Sequence, residues 1–228
     1  AAVSDSGVKA IVLDIDSPGG AVQGVPELAA EILAARESKW ITAVANDMAA
    51  SAAYWIASAC SEVVVTPSGE VGSIGVFCAH ADYSAAYEAA GVKNTLIRAG
   101  KYKAEANPWE PLTDDARAAI QSTVDDYYSM FVAAVAKGRG TTPAAVRGGY
   151  GEGRMVTAKA AVSEGLADRI ATLDDVLQRL GAAPSSSPRG SSAAPLRRLA
   201  ESRLSASPYG GAATQDHQTA RARGERSH

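Results

Sequence analysis

Ser51 lies in a run of small residues that follows a predicted strand and opens a predicted helix. The run, NDMAASAAYW, occupies residues 46–55 and comes directly after an apolar stretch of strand type at residues 40–45. Alanines on both sides of the serine would let a polypeptide backbone approach its hydroxyl. A serine at a sharp strand-to-helix corner exposes its oxygen as a nucleophile elbow does, although a helix N-cap serine has the same pattern.

A preceding strand-to-helix corner carries a pair of glycines. The run IDSPGG, residues 15–20, follows an apolar strand and opens a predicted helix. The glycines let the backbone turn sharply and leave the Gly19 and Gly20 amides uncovered, and such amides can bind a developing oxyanion. The alternative is a plain turn. Consecutive corners, one with free amides and one with Ser51 followed by the Ala52 amide, indicate a hydrolytic site more strongly than either alone.

The base that would activate Ser51 is less clear from the residues. Histidine is the usual base, but the chain has only three histidines, and only His80 precedes residue 182. No sequence neighbour orients His80 as a base, so we expect it on the surface or in packing. A lysine can serve if burial depresses its pKa. Lys101 and Lys103 precede the aromatic turn NPW, which could shield an amine, and the alternative is a solvated pair.

Strand and helix patterns alternate along the chain before residue 181. This alternation predicts an α/β fold with a mostly parallel sheet and flanking helices. The predicted strands are residues 8–14, 40–45, 62–66, 74–79 and 95–99. The predicted helices are residues 22–35, 49–59, 83–90 and 114–137, the last N-capped by Thr113 with a buried stripe of Ile120, Val124, Tyr127, Tyr128, Phe131 and Val135.

Four motifs together resemble the signal-peptide-peptidase family of serine proteases. They are IDSPGG, MAASAAYWIA, EVGSIGV and AGKYKAEANPWEPL, in the family's order and spacing, and the resemblance covers residues 8–180. Within this family, the residues of these motifs are most similar to the branch that contains phage and prophage head-maturation, or capsid assembly, proteases. The resemblance implies a ClpP/crotonase-like fold and a homo-oligomeric ring that encloses the active sites.

The resemblance also implies a role for each matching residue. The nucleophile falls on Ser51, and the general base falls on Lys103 rather than Lys101. Ser73, the serine of EVGSIGV, is expected to help position the lysine amine. The oxyanion-hole amides fall on the Gly19–Gly20 pair, with the choice between the two left open, and on Ala52. The implied reaction needs no metal and no nucleotide cofactor.

This chain departs from the family pattern in two places. The wider family has glycines after the nucleophile, where this chain has Ala52 and Ala53, but an alanine amide still donates. Family members also carry at least one strand before the position of Val8, for which this chain has little room. We therefore expect a missing neighbour and an exposed strand edge at the start of the sheet.

Composition bounds the remaining possibilities. The 228 residues carry a net charge of −3, which argues against nucleic acid as a partner, and no apolar run approaches a membrane span. Two cysteines, Cys60 and Cys78, fit a reducing compartment, and we expect a cytoplasmic location. Residues 182–228 hold seven arginines against three acids, a net charge of +4 that leaves −7 for residues 1–181. Their composition predicts a disordered tail after a protease domain at residues 1–181.

The sequence thus favours a serine endopeptidase that processes scaffold or capsid proteins during phage head maturation. One alternative is a cellular peptidase of the same family that clears signal peptides. Another is a catalytically degenerate structural or scaffold-binding capsid protein. Intact Ser51, Ser73 and Lys103 argue against this last alternative.

Overall fold

The computed structural model describes residues 1–181, so the predicted tail at 182–228 lies outside the described residues. This part of the chain contains six strands and seven helices, with a short 3-10 turn at Tyr150–Gly153. The strands are β1 (Ala10–Ser17), β2 (Trp40–Ala50), β3 (Glu62–Val65), β4 (Glu70–Gly72), β5 (Met155–Thr157) and β6 (Arg169–Ile170). The helices are α1 (Val25–Ala35), α2 (Ala52–Ser58), α3 (Ser84–Ala89), α4 (Asp114–Gly138), α5 (Pro143–Gly148), α6 (Ala158–Glu164) and α7 (Leu173–Arg179).

The six strands form one sheet with β2 at its centre. The order is β5-β4-β2-β3-β6, and β1 also pairs with β2. All pairs are parallel except β4 with β5. Strand β1 pairs with β2 as far as Ala49. Strand β3 pairs only with residues 42–45 of β2, whereas β4 pairs with Met48, Ala49 and Ala50. This switch of partners brings the end of β2, and the residue that follows it, beside the end of β4.

Both faces of the sheet are covered. Successive side chains of β2 point to opposite sides of the sheet, and those of residues 41–45 are all buried. Ala43 and Ala45 join the large core that includes α2 and α4, while Val44 joins a smaller cluster with Val64 and Val176 of α7. Valine and alanine dominate the central strands, as expected for parallel strands buried on both faces. The predicted α/β fold class is confirmed.

Helix α4 packs on α2 through one aromatic pair and one close backbone contact. The rings of Trp55 and Phe131 stack with centroids 4.6 Å apart and planes 5° from parallel. At the end of α4, a Cβ on Gly138 would lie 2.1 Å from the carbonyl oxygen of Ser58, so only glycine fits there. The aromatic stack and the glycine contact hold α2 against α4.

Most predicted elements are confirmed with shifted ends. Helix α4 begins at Asp114 as expected, with the Thr113 side chain accepting a hydrogen bond from the Ala116 amide at 3.2 Å. Strand β2 runs to Ala50, five residues beyond the prediction, so α2 begins immediately after Ser51. Helix α1 begins at Val25 rather than at residue 22, after a left-handed Gly24.

The strands predicted at 74–79 and 95–99 do not form, so those two predictions are wrong. Gly72 and Ser73 both have positive φ angles, 116° and 52°, which turn the chain away from the sheet after β4. Without a neighbouring strand, one large apolar side chain in each segment stays in solvent: Phe77 is 89% exposed and Ile97 98% exposed. A strand pattern forms a strand only when a partner edge is available.

No helix within residues 1–181 combines the length and the hydropathy that a membrane crossing requires.

Candidate active site

Ser51 occupies a strained corner between β2 and α2. Its φ is 53° and its ψ is −124°, a backbone conformation that residues with a Cβ rarely adopt. Its amide donates to the Gly72 carbonyl oxygen at 2.8 Å, which holds the corner to the end of β4. The side chain makes no cap hydrogen bond to α2. Ser51 therefore follows the geometry of a nucleophile elbow rather than that of an N-cap.

The two corners that the sequence singled out meet in space. A Cβ built on Gly19 would lie 2.7 Å from the Cβ of Ser51, 2.8 Å from the Ala50 carbonyl oxygen and 3.0 Å from the Ala52 nitrogen. Gly19 also has a φ of 95°, which favours glycine. The close approach explains the glycine at this position, since any side chain would displace Ser51 or the start of α2.

The amides of the glycine pair differ in what they bind. The Gly19 amide donates to the Ser17 hydroxyl oxygen at 3.2 Å. The Gly20 amide has no hydrogen-bond acceptor among residues 1–181, and Gly20 borders the same cavity as Ser51 and Ala52. The Ala52 amide, at the first position of α2, is likewise without an acceptor in the described part of the chain. Gly20 and Ala52 are thus the two amides still able to bind an oxyanion.

Ser73 follows the residue that anchors Ser51. Its amide donates to the Arg154 carbonyl oxygen at 2.8 Å. Its φ of 52° is also strained, so Ser51 and Ser73 are two strained serines joined through the Ser51 amide and the Gly72 carbonyl. The structure therefore brings together Ser51, Ser73 and the expected amides.

Lys103 is not brought to this group. It is exposed in a turn, where its amide donates to the Gly100 carbonyl oxygen at 3.3 Å, and it does not line the cavity that contains Ser51. Lys101 is also exposed, with its amine 4.5 Å from the centre of the Tyr102 ring. Within residues 1–181, neither Lys101 nor Lys103 has the burial that we expect of a lysine base.

His80 matches its expected packing role. It is half-buried, and its Nε2 lies 3.1 Å from the Asn107 carbonyl oxygen. It is not among the residues that line the cavity at Ser51. Among residues 1–181, His80 therefore gains no catalytic position from the fold.

An apolar cavity of 390 Å³ lies beside Ser51 and is called the Ser51 cavity below. Its floor is formed by Gly20, Ser51 and Ala52. Its walls come from α2, α4 and the irregular segment after β4, including Trp55, Val76, Phe77, Ile120, Val124 and Tyr127. The apolar stripe of α4 was predicted to be buried. Three of its side chains, Ile120, Val124 and Tyr127, are instead half-exposed. These side chains line the cavity because no core element covers them.

A hydrogen bond from Tyr54 and a neighbouring ion pair support the first turn of α2. The Tyr54 hydroxyl donates to the Leu166 carbonyl oxygen at 2.8 Å. Nearby, the Arg139 guanidinium donates to both carboxylate oxygens of Asp168 at 2.8 and 2.9 Å, and the Val63 amide donates to the same carboxylate at 2.7 Å. Desolvation raises the pKa of Asp168, but these hydrogen bonds outweigh it and leave the pKa below its ordinary value. The network ties α2, β3 and the end of α4 into one support.

Sequence reasoning missed two residues that shape the site. The Ser17 hydroxyl oxygen accepts a hydrogen bond from the Gly19 amide, and the Gly72 carbonyl oxygen accepts one from the Ser51 amide. Both belong to the motifs that were singled out, IDSPGG and EVGSIGV. Their roles depend on backbone hydrogen bonds, which residue types alone do not reveal.

Comparison with known proteins finds a matching family profile and similar phage proteins. Residues 34–184 match the sequence profile of peptidase family S49. The chain is 37% identical over 189 residues to the head-tail preconnector protein GP5 of Enterobacteria phage P21, covering 83% of this chain and 37% of that protein. It is 39% identical over 176 residues to the capsid assembly protease C of Escherichia phage lambda, covering 77% of this chain and 40% of that protein. The chain thus spans well under half the length of these two relatives.

A solved structure of a membrane-bound stomatin-specific protease is similar in fold. The TM-score is 0.50 at 14% identity, over 76% of this chain and 70% of that one. The likeness shows the ClpP/crotonase-like fold that the sequence resemblance implied.

Proposed function

Because the chain belongs to peptidase family S49, we propose that it is a serine endopeptidase with Ser51 as its nucleophile. The observation that carries the proposal is the conformation of Ser51: a strained corner, a hydroxyl without a cap hydrogen bond, and free Gly20 and Ala52 amides at the same cavity. A plain N-cap serine needs neither the strain nor the free amides.

The Gly20 and Ala52 amides form the oxyanion hole of this proposal. As the Ser51 oxygen attacks a peptide carbonyl, the carbonyl oxygen becomes negative and accepts hydrogen bonds from both amides. One such donor typically contributes about 3 kcal/mol to the transition state. Gly19 is a positioning residue, since its amide is engaged by Ser17 and its lack of a side chain lets the corners meet.

Lys103 is the proposed general base, brought to Ser51 by a second copy of the chain. Residues 91–106, called the lysine loop below, are exposed almost throughout, with Ile97 98% and Tyr102 55% exposed. Apolar side chains left in water favour a partner surface. The base of this loop is fixed by two hydrogen bonds. The Asn107 side chain donates to the Ala104 carbonyl oxygen at 2.9 Å, and the Tyr83 amide donates to the Pro108 carbonyl oxygen at 2.8 Å.

The chemical steps then need only this chain's groups and water. The neutral amine of Lys103 takes the proton of the Ser51 hydroxyl as the oxygen attacks, and the lysinium gives that proton to the leaving amine. A water, deprotonated by the same amine, then attacks the acyl carbon, and the lysinium returns that proton to the Ser51 oxygen as the acyl group leaves. Docking against the partner would bury the amine and favour its neutral form. Ser73, next to the anchor of Ser51, is the proposed positioning residue for the amine.

The proposed substrates are scaffold or capsid proteins of a phage head, cleaved in the host cytoplasm or the procapsid. The support is the identity of 37% and 39% to a phage head-tail preconnector protein and a phage capsid assembly protease. A homo-oligomeric ring would confine such cleavage to chains that reach its interior.

Cleavage assays on an unfolded protein substrate test the proposed function. The full chain should cleave it, and both Ser51→Ala and Lys103→Ala should reduce the rate at least about 1000-fold. Lys101→Ala is the matched control, because it removes a neighbouring exposed amine from the same loop, and its rate should stay near that of the wild type. Cleavage by Ser51→Ala at the wild-type rate would refute the proposal.

A further inference from the structure

The Ser51 cavity continues into a second cavity, which is called the outer cavity below. The outer cavity has a volume of 680 Å³. The two share lining residues on both walls: Val76, Phe77 and Cys78 on one side and Ile120 and Val124 of α4 on the other. A bound polypeptide can therefore extend from Ser51 along a single cleft between α4 and the segment that follows β4.

The outer cavity adds polar side chains to this apolar cleft, and most of them already have partners. His80 Nε2 lies against the Asn107 carbonyl oxygen at 3.1 Å. The Asp82 carboxylate accepts a hydrogen bond from the Ser84 amide at 2.8 Å, and the Gln121 side chain donates to Asp125 at 2.8 Å. These groups offer little to a ligand without giving up an existing bond.

Arg117 is the exception. It stands near the start of α4 and lines the outer cavity, and its guanidinium has no hydrogen bond or ion pair with any of residues 1–181. Asp82 lines the same cavity, yet no ion pair joins it to Arg117. A guanidinium presents several donors in a planar fork that matches a carboxylate. The cleft thus runs from a nucleophile, past apolar walls, to an uncommitted cation.

We propose that Arg117 selects substrates in which an Asp or Glu carboxylate lies a few residues from an apolar side chain bound in the Ser51 cavity. The proposal rests on the proposed function, because it takes the ligand of the cleft to be a polypeptide. Arg117 acts by binding the substrate away from the scissile bond. It determines specificity and is not a catalytic residue.

Peptide binding to the full chain tests this, with Ser51→Ala as the background so that no peptide is cleaved. The probes are fluorescein-labelled peptides of alanine and serine with one leucine and one glutamate, the glutamate stepped from one to five residues on either side of the leucine. Each has glutamine and lysine counterparts. In at least one register the glutamate peptide should bind about tenfold more tightly than the glutamine peptide, as for a hydrogen bond to a charged group.

Substitutions test whether Arg117 causes the preference for glutamate. Arg117→Gln should make the glutamate and glutamine peptides bind equally, and Arg117→Glu should favour the lysine peptide. Lys159→Gln, which removes an exposed cation of α6 outside both cavities, should leave the tenfold preference unchanged. The proposal is overturned if no register prefers glutamate, if no peptide binds, or if the preference survives Arg117→Gln. Failure of the proposed function is a separate result: retained binding to Ser51→Ala, but no cleavage of the bound peptide by the wild type.

Discussion

The backbone of Gly19 passes so close to Ser51 that a Cβ on Gly19 would lie 2.7 Å from the Ser51 Cβ. This contact makes one site out of two corners that lie more than thirty residues apart in sequence. It also places the free Gly20 amide at the cavity that contains Ser51 and Ala52. The predictions below follow from this geometry and from the supports around it.

Gly19→Ala should damage the site while Gly20→Ala should not. At Gly19 a Cβ would clash with Ser51 and face a φ of 95°, whereas a Cβ on Gly20 meets nothing within 4 Å. Strain and overpacking together should lower the free energy of unfolding by about 2 to 4 kcal/mol in Gly19→Ala. Denaturant unfolding followed by circular dichroism measures this, and peptide cleavage should fall in parallel. Equal stability of the two variants would contradict the close approach.

Replacing Ser51 by glycine should relieve backbone strain that alanine retains. Both substitutions remove the hydroxyl, but only glycine adopts a φ of 53° with a ψ of −124° at little cost. Ser51→Gly should therefore be more stable than Ser51→Ala by about 1 kcal/mol, against the usual preference for alanine. Thermal and denaturant unfolding of the two inactive proteins provides the comparison. Greater stability of Ser51→Ala would show that the corner is not strained.

Mixing two inactive variants should restore cleavage if Lys103 acts on the Ser51 of another copy. In an equal mixture of Ser51→Ala and Lys103→Ala, about a quarter of the sites would combine an intact serine with an intact lysine, assuming random cyclic assembly. Activity should approach that fraction of the wild-type rate after co-refolding. A mixture of Ser51→Ala with Gly19→Ala is a control, because the Gly19 defect lies in the serine-bearing copy. No recovery in the first mixture would place Lys103 and Ser51 in the same chain.

Only one of the two thiols should react readily. Burial raises the pKa of the Cys60 thiol to about 12, while Cys78 is exposed and lines the Ser51 cavity. Treatment of the native protein with a maleimide should give a single adduct, on Cys78, and a bulky maleimide should slow peptide cleavage. Cys78→Ser is the control that should abolish both effects. Rapid labelling of Cys60 in the native state would contradict its buried position between α2 and β3.

The Asp168 carboxylate should stabilise the fold in a pH-dependent way. Its pKa is lowered in the folded state, so its contribution is complete above the ordinary carboxyl pKa of about 3.9 and is lost as the pH falls through the lower folded value. Because its side chain is 41% exposed, Asp168→Asn should cost about 1 to 2 kcal/mol at pH 7, less than the loss of a fully buried pair. Unfolding free energies from pH 7 to pH 3 should show this difference shrinking below about pH 4. A difference that is constant over this range would contradict the assignment.

The sequence predicts the elements that carry strong local signals. The Thr113 cap and the apolar period locate α4 to within one residue at its end, and the small-residue run locates Ser51 at the start of α2. It also identifies the two corners, because glycines and alanines mark where backbones approach closely. The alternating elements predict an α/β fold with a mostly parallel sheet, and the resemblance of the four motifs to the family implies its ClpP/crotonase-like form.

Long-range and intermolecular features lie beyond such reasoning. The runs at 74–79 and 95–99 have strand composition, yet no sheet edge reaches them and Ile97 remains 98% exposed. Which glycine amide is free depends on the Ser17 hydroxyl, 3.2 Å from the Gly19 nitrogen, and not on the glycines themselves. The choice of Lys103 over Lys101 came from the family resemblance. It remains a prediction because both amines are exposed.

Reaction of the full chain with a fluorophosphonate, followed by peptide mapping, tests the assignment of the nucleophile most directly. The reagent leaves a stable adduct on an activated serine and places an oxygen where the Gly20 and Ala52 amides converge. We expect one adduct, on Ser51, with none in Ser51→Ala and slower formation in Lys103→Ala. An adduct on Ser73 or another serine instead, or none while the protein still cleaves a substrate, would contradict it.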